Sequence, residues 1–209
     1  MTKLSVCIST VTPRRSLLSR LLSGLLDQDG DYEVIVHTGD NIPHGTKVER
    51  MFREAAGSHV VVVDDDDYLR GDYMEWVLPE LNPGLDFLGY RIHCTFNGNF
   101  WMSVPHHGDL PSNRWRQLKR GPAPKMPTRV ELARRVPFKN HYQGDIEWAE
   151  GVQPLLETVK YIDEELYFYD FWRAGSMKTS WNDGTEQPDI GPQRDLGLFD
   201  FDEERVRWL

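Results

Sequence analysis

Cysteine is scarce in this 209-residue chain: Cys7 and Cys94 are the only two, each in an apolar, strand-like setting. Two thiols make neither a disulfide framework nor a thiolate zinc site, so a reducing, cytoplasmic setting is expected. Long apolar runs are missing as well. No stretch approaches the roughly 18 residues that a membrane helix needs, and Met1-Thr2-Lys3 leads directly into a strand-like LSVCIS, so neither a span nor a leader is expected. Internal repeats and low-complexity tracts are absent. Positive charge is in deficit, with 24 Lys and Arg against 33 Asp and Glu, a net −9 that argues against non-specific nucleic-acid binding. The deficit is uneven. Residues 114–139 hold nine cations (Arg114, Arg116, Lys119, Arg120, Lys125, Arg129, Arg134, Arg135, Lys139) against Glu131, a net +8 that leaves −17 for the remainder.

What is present is sufficient for one folded domain. Hydrophobic residues make up 39% of the chain, enough for a core at this length. Leu4–Ser9 is an apolar strand, and Thr12-Pro13 offers an N-cap with proline at the first helical position. Leu17, Leu18, Leu21, Leu22, Leu25 and Leu26 then mark one face of a helix that ends at Asp29-Gly30. Tyr32–His37 is a second strand. Val48, Met51, Phe52, Ala55 and Ala56 stripe a second helix closed by Gly57, and a valine strand follows. This β-α-β-α-β alternation predicts an α/β fold with a parallel, right-handed crossover sheet. Beyond it, Tyr73–Leu81 reads as a helix. Asp86–Thr95 and Asn99–Val104 read as strands around an Asn97-Gly98 turn. Residues 105–127 form a long loop rich in Pro, Gly, His and Arg. Thr128–Val136 and Asp145–Glu157 read as helices, Tyr161-Ile162 with Leu166–Tyr169 as a final strand pair, and residues 181–209 as a tail.

The chemistry concentrates in His59–Leu69, HVVVVDDDDYL. Four consecutive valines describe a strand buried on both faces, and such a strand delivers its end to the edge where open α/β sheets bind ligands. Four carboxylates there repel one another, and the expectation is that a cation must arrive to compensate them. Hard oxygen donors suit Mg²⁺ or Mn²⁺. The plain alternative is an acidic helix N-terminus, which one or two aspartates would satisfy. Within the cluster, Asp66 is the expected metal ligand and Asp64 the nucleotide contact. Asp65 and Asp67 are supporting or solvent-facing groups, with Asp65 counted on the nucleotide side.

A second acidic motif is Gly144-Asp145-Ile146-Glu147-Trp148. Asp145 is either a plain helix cap or a general base, placed one turn before Trp148 on the buried face with its pKa tuned by partial burial. Glu147 competes for that role but points away from the apolar face.

The segments LSVCISTVTPRRSLLSRLLSGLL, DYEVIVHTGDN and GTKVERMFREAAGSHVVVVDDDDYL resemble the front half of family-two nucleotide-sugar glycosyltransferases of the GT-A fold. PAPKMPTRVELARRVPFKNHYQGDIEWAE and YIDEELYFYDFW are similar to the back half, so the resemblance spans residues 4–173 with both acidic motifs in the expected order. It implies a three-layer, Rossmann-like sandwich around a mixed, mainly parallel sheet. Residues 1–180 would form one catalytic domain, with about 1–95 for the nucleotide sugar and about 96–180 for the acceptor. It implies inverting sugar transfer from a nucleoside diphosphate, UDP- or GDP-linked, with Mn²⁺ or Mg²⁺ held through Asp64-x-Asp66 and Asp145 as base. Two departures stand out. The family's Glu-Asp pair is Gly144-Asp145 here, and its Lys-Arg-Asn helix start is Lys47-Val48-Glu49.

By the same resemblance Thr10 and Thr12 would cradle the nucleoside, though a helix cap explains them equally. Asp40 would bind the base or simply close a turn. Lys47 lies in a helix first turn, where a cation opposes the dipole, so a phosphate or the aspartate cluster is its expected partner. His106-His107 as metal ligands, Arg173 as a diphosphate contact, and Trp101, Trp115 and Trp181 as sugar-stacking platforms complete the candidates. The 114–139 segment is either a solvated face or a seat for a phosphate-rich acceptor such as modified nucleic acid; a glycan or a protein would serve as acceptor too. Two rival functions remain open: a nucleotidyltransferase using Arg14-Arg15, and a non-catalytic relative that binds sugar nucleotides or metal.

Overall fold

The computed structural model describes residues 2–96, 98–110, 120–141, 143–171 and 199–209. One sheet organises them. Its strands are β1 (Leu4–Ser9), β2 (Tyr32–His37), β3 (His59–Asp64), β4 (Tyr68–Leu69), β5 (Phe87–Phe96), β6 (Asn99–Pro105), β7 (Thr128–Arg129), β8 (Val159–Phe171) and β9 (Val206–Trp208). The order across the sheet is β4-β8-β5-β7-β3-β1-β2-β9, with β6 paired to β5. The pairings of β1 with β2, β1 with β3 and β5 with β8 are parallel. The edge and bridging pairs β4–β8, β5–β6 and β3–β7 run antiparallel.

Among the described residues five α-helices cover the sheet: α1 (Arg15–Leu26), α2 (His44–Glu54), α3 (Tyr73–Val77), α4 (Val130–Ala133) and α5 (Gly144–Val152). Successive strand residues face opposite ways, which sorts the core into two layers. Leu4, Val6, Ile8, Val34, Val61 and Val63 meet α1 and α3 on one face. Cys7, Ile35, Val60 and Val62 meet α2, α4 and α5 on the other. The fold is therefore helix–sheet–helix, and Val60–Val63 are at most 2% exposed, as a doubly covered strand requires. The leucine stripe of α1 is buried as well, with Leu22 fully so; each such side chain contributes about 1.5–3 kcal/mol by leaving water.

The crossovers place the functional edge. The chain leaves β1 for β2 on one side through α1, then returns past β1 to β3 on the other side through α2. Right-handed connections of opposite direction put α1 and α2 on opposite faces. The crevice between the carboxyl ends of β1 and β3 is thus a topological switch point, where open α/β sheets take their ligands. Ser9 lies beside both His37 and Asp64 there, so Thr10, the turn at Asp40 and the aspartate run emerge together.

Several elements differ from the sequence expectation for local reasons. Thr12–Arg14 form a 3-10 turn before α1, and the Thr12 side chain caps nothing. Thr128-Arg129 leave their expected helix to bridge β3 and β5. The expected strand pair after α5 is one continuous strand. Between Gly89↔Tyr161 and Arg91↔Glu165 the register of β8 advances by two extra residues. The carboxylates of Asp163 and Glu164 in that bulge pair with Arg91 and Arg70, each at 2.9 Å. Val206–Trp208 extends the sheet as a parallel edge beside β2. No described helix is long and apolar enough to cross a membrane.

Candidate functional site

At the switch point the backbone turns sharply, the Asp67 N–H donating to the Asp64 carbonyl at 3.1 Å. Arg20 of α1 braces this turn through the Asp66 carbonyl at 2.7 Å. The four carboxylates consequently diverge into two buried and two outward groups. Asp65 is 2% exposed and accepts from Thr10 Oγ1 at 2.7 Å and Arg14 Nη1 at 2.6 Å. Asp67 is 1% exposed and accepts from Tyr167 Oη at 2.7 Å and Lys125 Nζ at 2.9 Å. Asp64 binds the same Lys125 ammonium. Asp66 is the most open, with only a 3.4 Å approach to Arg14 Nη2.

Two expectations are corrected by this arrangement. The cluster does not stand uncompensated, because Lys125 and Arg14 are built in as counter-charges. Nor do Asp65 and Asp67 face solvent. Burial pushes the Asp65 carboxyl up to about 6 and that of Asp67 up to about 7, against the pull of Arg14 and Lys125 respectively. Burial also opposes ionisation of Asp64, yet Lys125 and His44 hold it below the ordinary carboxylate value. The Tyr167 hydroxyl is saturated: it donates to Asp67 and accepts from Lys125 at 2.9 Å and from the Asp64 N–H at 3.2 Å.

Asp64, Asp66 and Asp67 each offer an oxygen such that all three atoms lie within 4.8 Å of one another. Hard carboxylate oxygens this close together are the donor type that divalent cations take. His106 and His107 take no part. His106 is buried against the Gly121 carbonyl at 2.9 Å, and burial pushes its imidazole down to about 4. His107 stacks on Tyr161.

The other predicted residues gather around the cluster in different capacities. Thr10 is buried and supports Asp65, while Asp40 accepts from the Thr12 N–H at 2.8 Å, pinning the two loops that flank the crevice. Lys47 is 2% exposed and donates to the Thr10 carbonyl at 2.6 Å. Its ammonium thus ties α2 to the end of β1, within the field of Asp65 and Asp40. Asp145 opens α5, but its residue is exposed while Trp148 is fully buried, so it does not share the Trp148 face. Protein crowding still raises its carboxyl above the ordinary value, and the fields of Lys125 and Asp64 reach it. Glu147 pairs outward with Lys139 at 2.5 Å and His141 at 3.1 Å.

Gly144 has a spatial reason. A Cβ there would lie 2.1 Å from the Lys139 carbonyl oxygen. The same 138–140 segment crosses Gly45 at the head of α2, where a Cβ would meet the Phe138 carbonyl at 2.5 Å. Two helix starts are therefore drawn together under one loop. Beside them His44, made less basic by burial, lies within the fields of both Asp64 and Asp145.

Lys125, Tyr167, Arg20 and His44 are the site groups that the motifs did not reveal, and Arg14, named only for the nucleotidyltransferase alternative, pairs with Asp65 and Asp66. The solvated-face reading of residues 114–139 fails for Lys125 and for Arg129, paired with Asp86 at 2.9 Å, while Arg134 stays exposed and donates to carbonyls at the end of α2. Trp101 is 49% exposed, near Phe96 and Phe100 at the β5–β6 hairpin. Trp115, Trp181 and Arg173, with Arg114, Arg116 and Lys119, lie outside the described residues.

No protein-family model and no curated protein matches the sequence. Solved structures do. S. aureus TarS superposes with a TM-score of 0.63 at 16% identity, over 81% of this chain and 37% of that one. Its 1–349 fragment in complex with UDP-GlcNAc gives 0.62 at 15%, over 81% and 59%. The mannosyltransferase PcManGT from Pyrobaculum calidifontis, in complex with GDP-Man and Mn²⁺, gives 0.51 at 14%, over 79% and 56%. The chain thus spans well under two thirds of the length of these proteins. Its mixed sheet, its switch-point crevice and its structural neighbours make the fold that of the GT-A nucleotide-sugar glycosyltransferases.

Proposed function

We propose that this chain is an inverting hexosyltransferase of the family-two type, moving a sugar from a UDP- or GDP-linked donor to an acceptor hydroxyl. The observation that carries the reading is the convergence of Asp64, Asp66 and Asp67 oxygens within 4.8 Å at the switch-point crevice. The same fold holds UDP-GlcNAc in TarS and GDP-Man with Mn²⁺ in PcManGT. Asp66, with Asp64 and Asp67, would hold Mn²⁺ or Mg²⁺, which neutralises the diphosphate leaving group as the glycosidic bond breaks. Thr10, Thr12, Asp40, Lys47 and Asp65 shape the nucleoside side of the crevice, tied to one another by the Thr10–Asp65, Thr12–Asp40 and Lys47–Thr10 hydrogen bonds. Asp145 takes the proton of the acceptor hydroxyl as the oxygen attacks the anomeric carbon from the side opposite the diphosphate; a single displacement inverts that centre. Protein crowding raises the Asp145 carboxyl above the ordinary value, which makes it a stronger base than a free aspartate. Residues 1–95 serve the donor and 96–180 the acceptor, a glycan, protein or modified nucleic acid. Buried free thiols at Cys7 and Cys94 suit the cytoplasm.

The test is a panel of UDP- and GDP-sugars with Mn²⁺ or Mg²⁺, scored by release of the free nucleoside diphosphate. One donor is expected to be turned over slowly with water as acceptor, and Asp66→Asn to abolish release. Binding of a donor without turnover in any metal would favour the non-catalytic alternative.

A further inference from the structure

We infer that Lys125 is a tethered counter-cation of the aspartate cluster, so that a divalent ion enters by exchange with the Lys125 ammonium. The inference rests on reading Asp64, Asp66 and Asp67 as the metal ligands. Two of those three carboxylates are already shared by Nζ, at 2.9 Å from Asp67 and in contact with Asp64. An ion about 2.1 Å from the same oxygens would stand no more than about 5 Å from that nitrogen. Like charges that close disfavour one another strongly. The ion and the ammonium are alternative occupants.

The structure also provides for the displaced group. The backbone at Lys125 is fixed, its carbonyl accepting from Tyr90 Oη at 2.5 Å and the preceding Pro124 carbonyl from the Val62 N–H at 2.8 Å. Only the side chain is free to swing. Nζ lies 4.8 Å from the Tyr167 ring centroid and 5.4 Å from that of Tyr169, so an aromatic wall borders its path. The released ammonium therefore stays in the crevice, available to an anion such as a diphosphate. Metal and anion would enter together: the ion takes the carboxylates, and Lys125 takes the anion.

The test is calorimetric titration of the full chain with MnCl₂ alone at pH 8, comparing the wild type with Lys125→Met. Removing a competing charge at this range is expected to tighten Mn²⁺ binding by at least about tenfold. Should Lys125→Met fail to fold, acetylation of Lys125 in the wild type is followed by peptide mass mapping, and saturating Mn²⁺ is expected to speed it. Equal or weaker Mn²⁺ binding by the variant, or unchanged Lys125 protection, overturns the exchange while leaving the metal site itself intact. Absence of Mn²⁺ binding in both proteins overturns the exchange and the metal reading together.

Discussion

The same substitution at two glycines should move stability in opposite directions. Gly24 lies in the last turn of α1 with nothing within 4 Å of an added Cβ. Gly144 begins α5, and its Cβ would sit 2.1 Å from the Lys139 carbonyl oxygen. Alanine at Gly24 gains only the backbone-entropy and propensity difference, about 0.5–1 kcal/mol. Alanine at Gly144 must displace a peptide group that is held on several sides. Asn140 Oδ1 accepts from the Thr46 N–H at 2.8 Å, the Phe138 N–H donates to Glu49 at 3.1 Å, and Lys139 pairs with Glu147. Overpacking of this kind costs about 1–3 kcal/mol, less a propensity gain that is small at a first helical position. At about 2–4 °C per kcal/mol for a chain of this size, Gly24→Ala should raise the melting temperature by about 1–4 °C. Gly144→Ala should lower it by about 2–12 °C. Thermal unfolding followed by circular dichroism reads both. A Gly144→Ala protein that melts at or above the wild type would refute the wedge. It would also remove the spatial reason why this chain has glycine where the family it resembles has glutamate.

Two further outcomes test the site. Asp145→Asn is expected to lower the turnover of a productive donor and acceptor by about 10²–10⁴-fold, the worth of a positioned base. Donor affinity should hold, and equal turnover in the variant would exclude Asp145 as the base. The buried acid at Asp67 makes a pH signature. It ionises near 7 in the folded chain but near the model-peptide value of 3.8 when unfolded, so between those values the folded state alone retains the proton. Stability from this group is therefore lost as pH rises from about 4 to about 7, by at most about 1.4 kcal/mol per pH unit. Urea unfolding of wild type and Asp67→Asn across that range should give a difference that increasingly favours the variant as pH rises. A constant difference would mean that Asp67 is ionised throughout, held by Lys125.

The legible part of this protein was local in sequence. The leucine stripe of α1, the four valines of β3 and the turn residues between them carry their own periodicity, and those periods set the two core layers. The aspartate run announced itself by composition, and its position at a strand end followed from the same pattern. What escaped was every feature made by distant contacts. Lys125 meets Asp64 and Asp67 from 61 and 58 residues away, and the run of cations around it reads in sequence as a solvated surface. Tyr167 sits in an aromatic strand that any core would contain. The two-residue strand β7 is too short to show alternation, and the bulge in β8 split one strand into two apparent pieces because its acidic residues interrupt the apolar pattern.

Lys47 shows why the failure is physical. A lysine in a helix first turn opposes the dipole, which argues correctly that something must compensate it. The argument fixes the need for a partner but not which partner. The chain met that need with the Thr10 carbonyl at 2.6 Å and the nearby field of Asp65 and Asp40, where a bound phosphate was one expected answer. Lys125 and the aspartate cluster repeat the pattern from the acidic side: four adjacent carboxylates require positive charge, and the fold supplies part of it covalently. A charge cluster in a sequence is thus evidence of a balance to be struck, and the fold decides how much of that balance is left for a ligand.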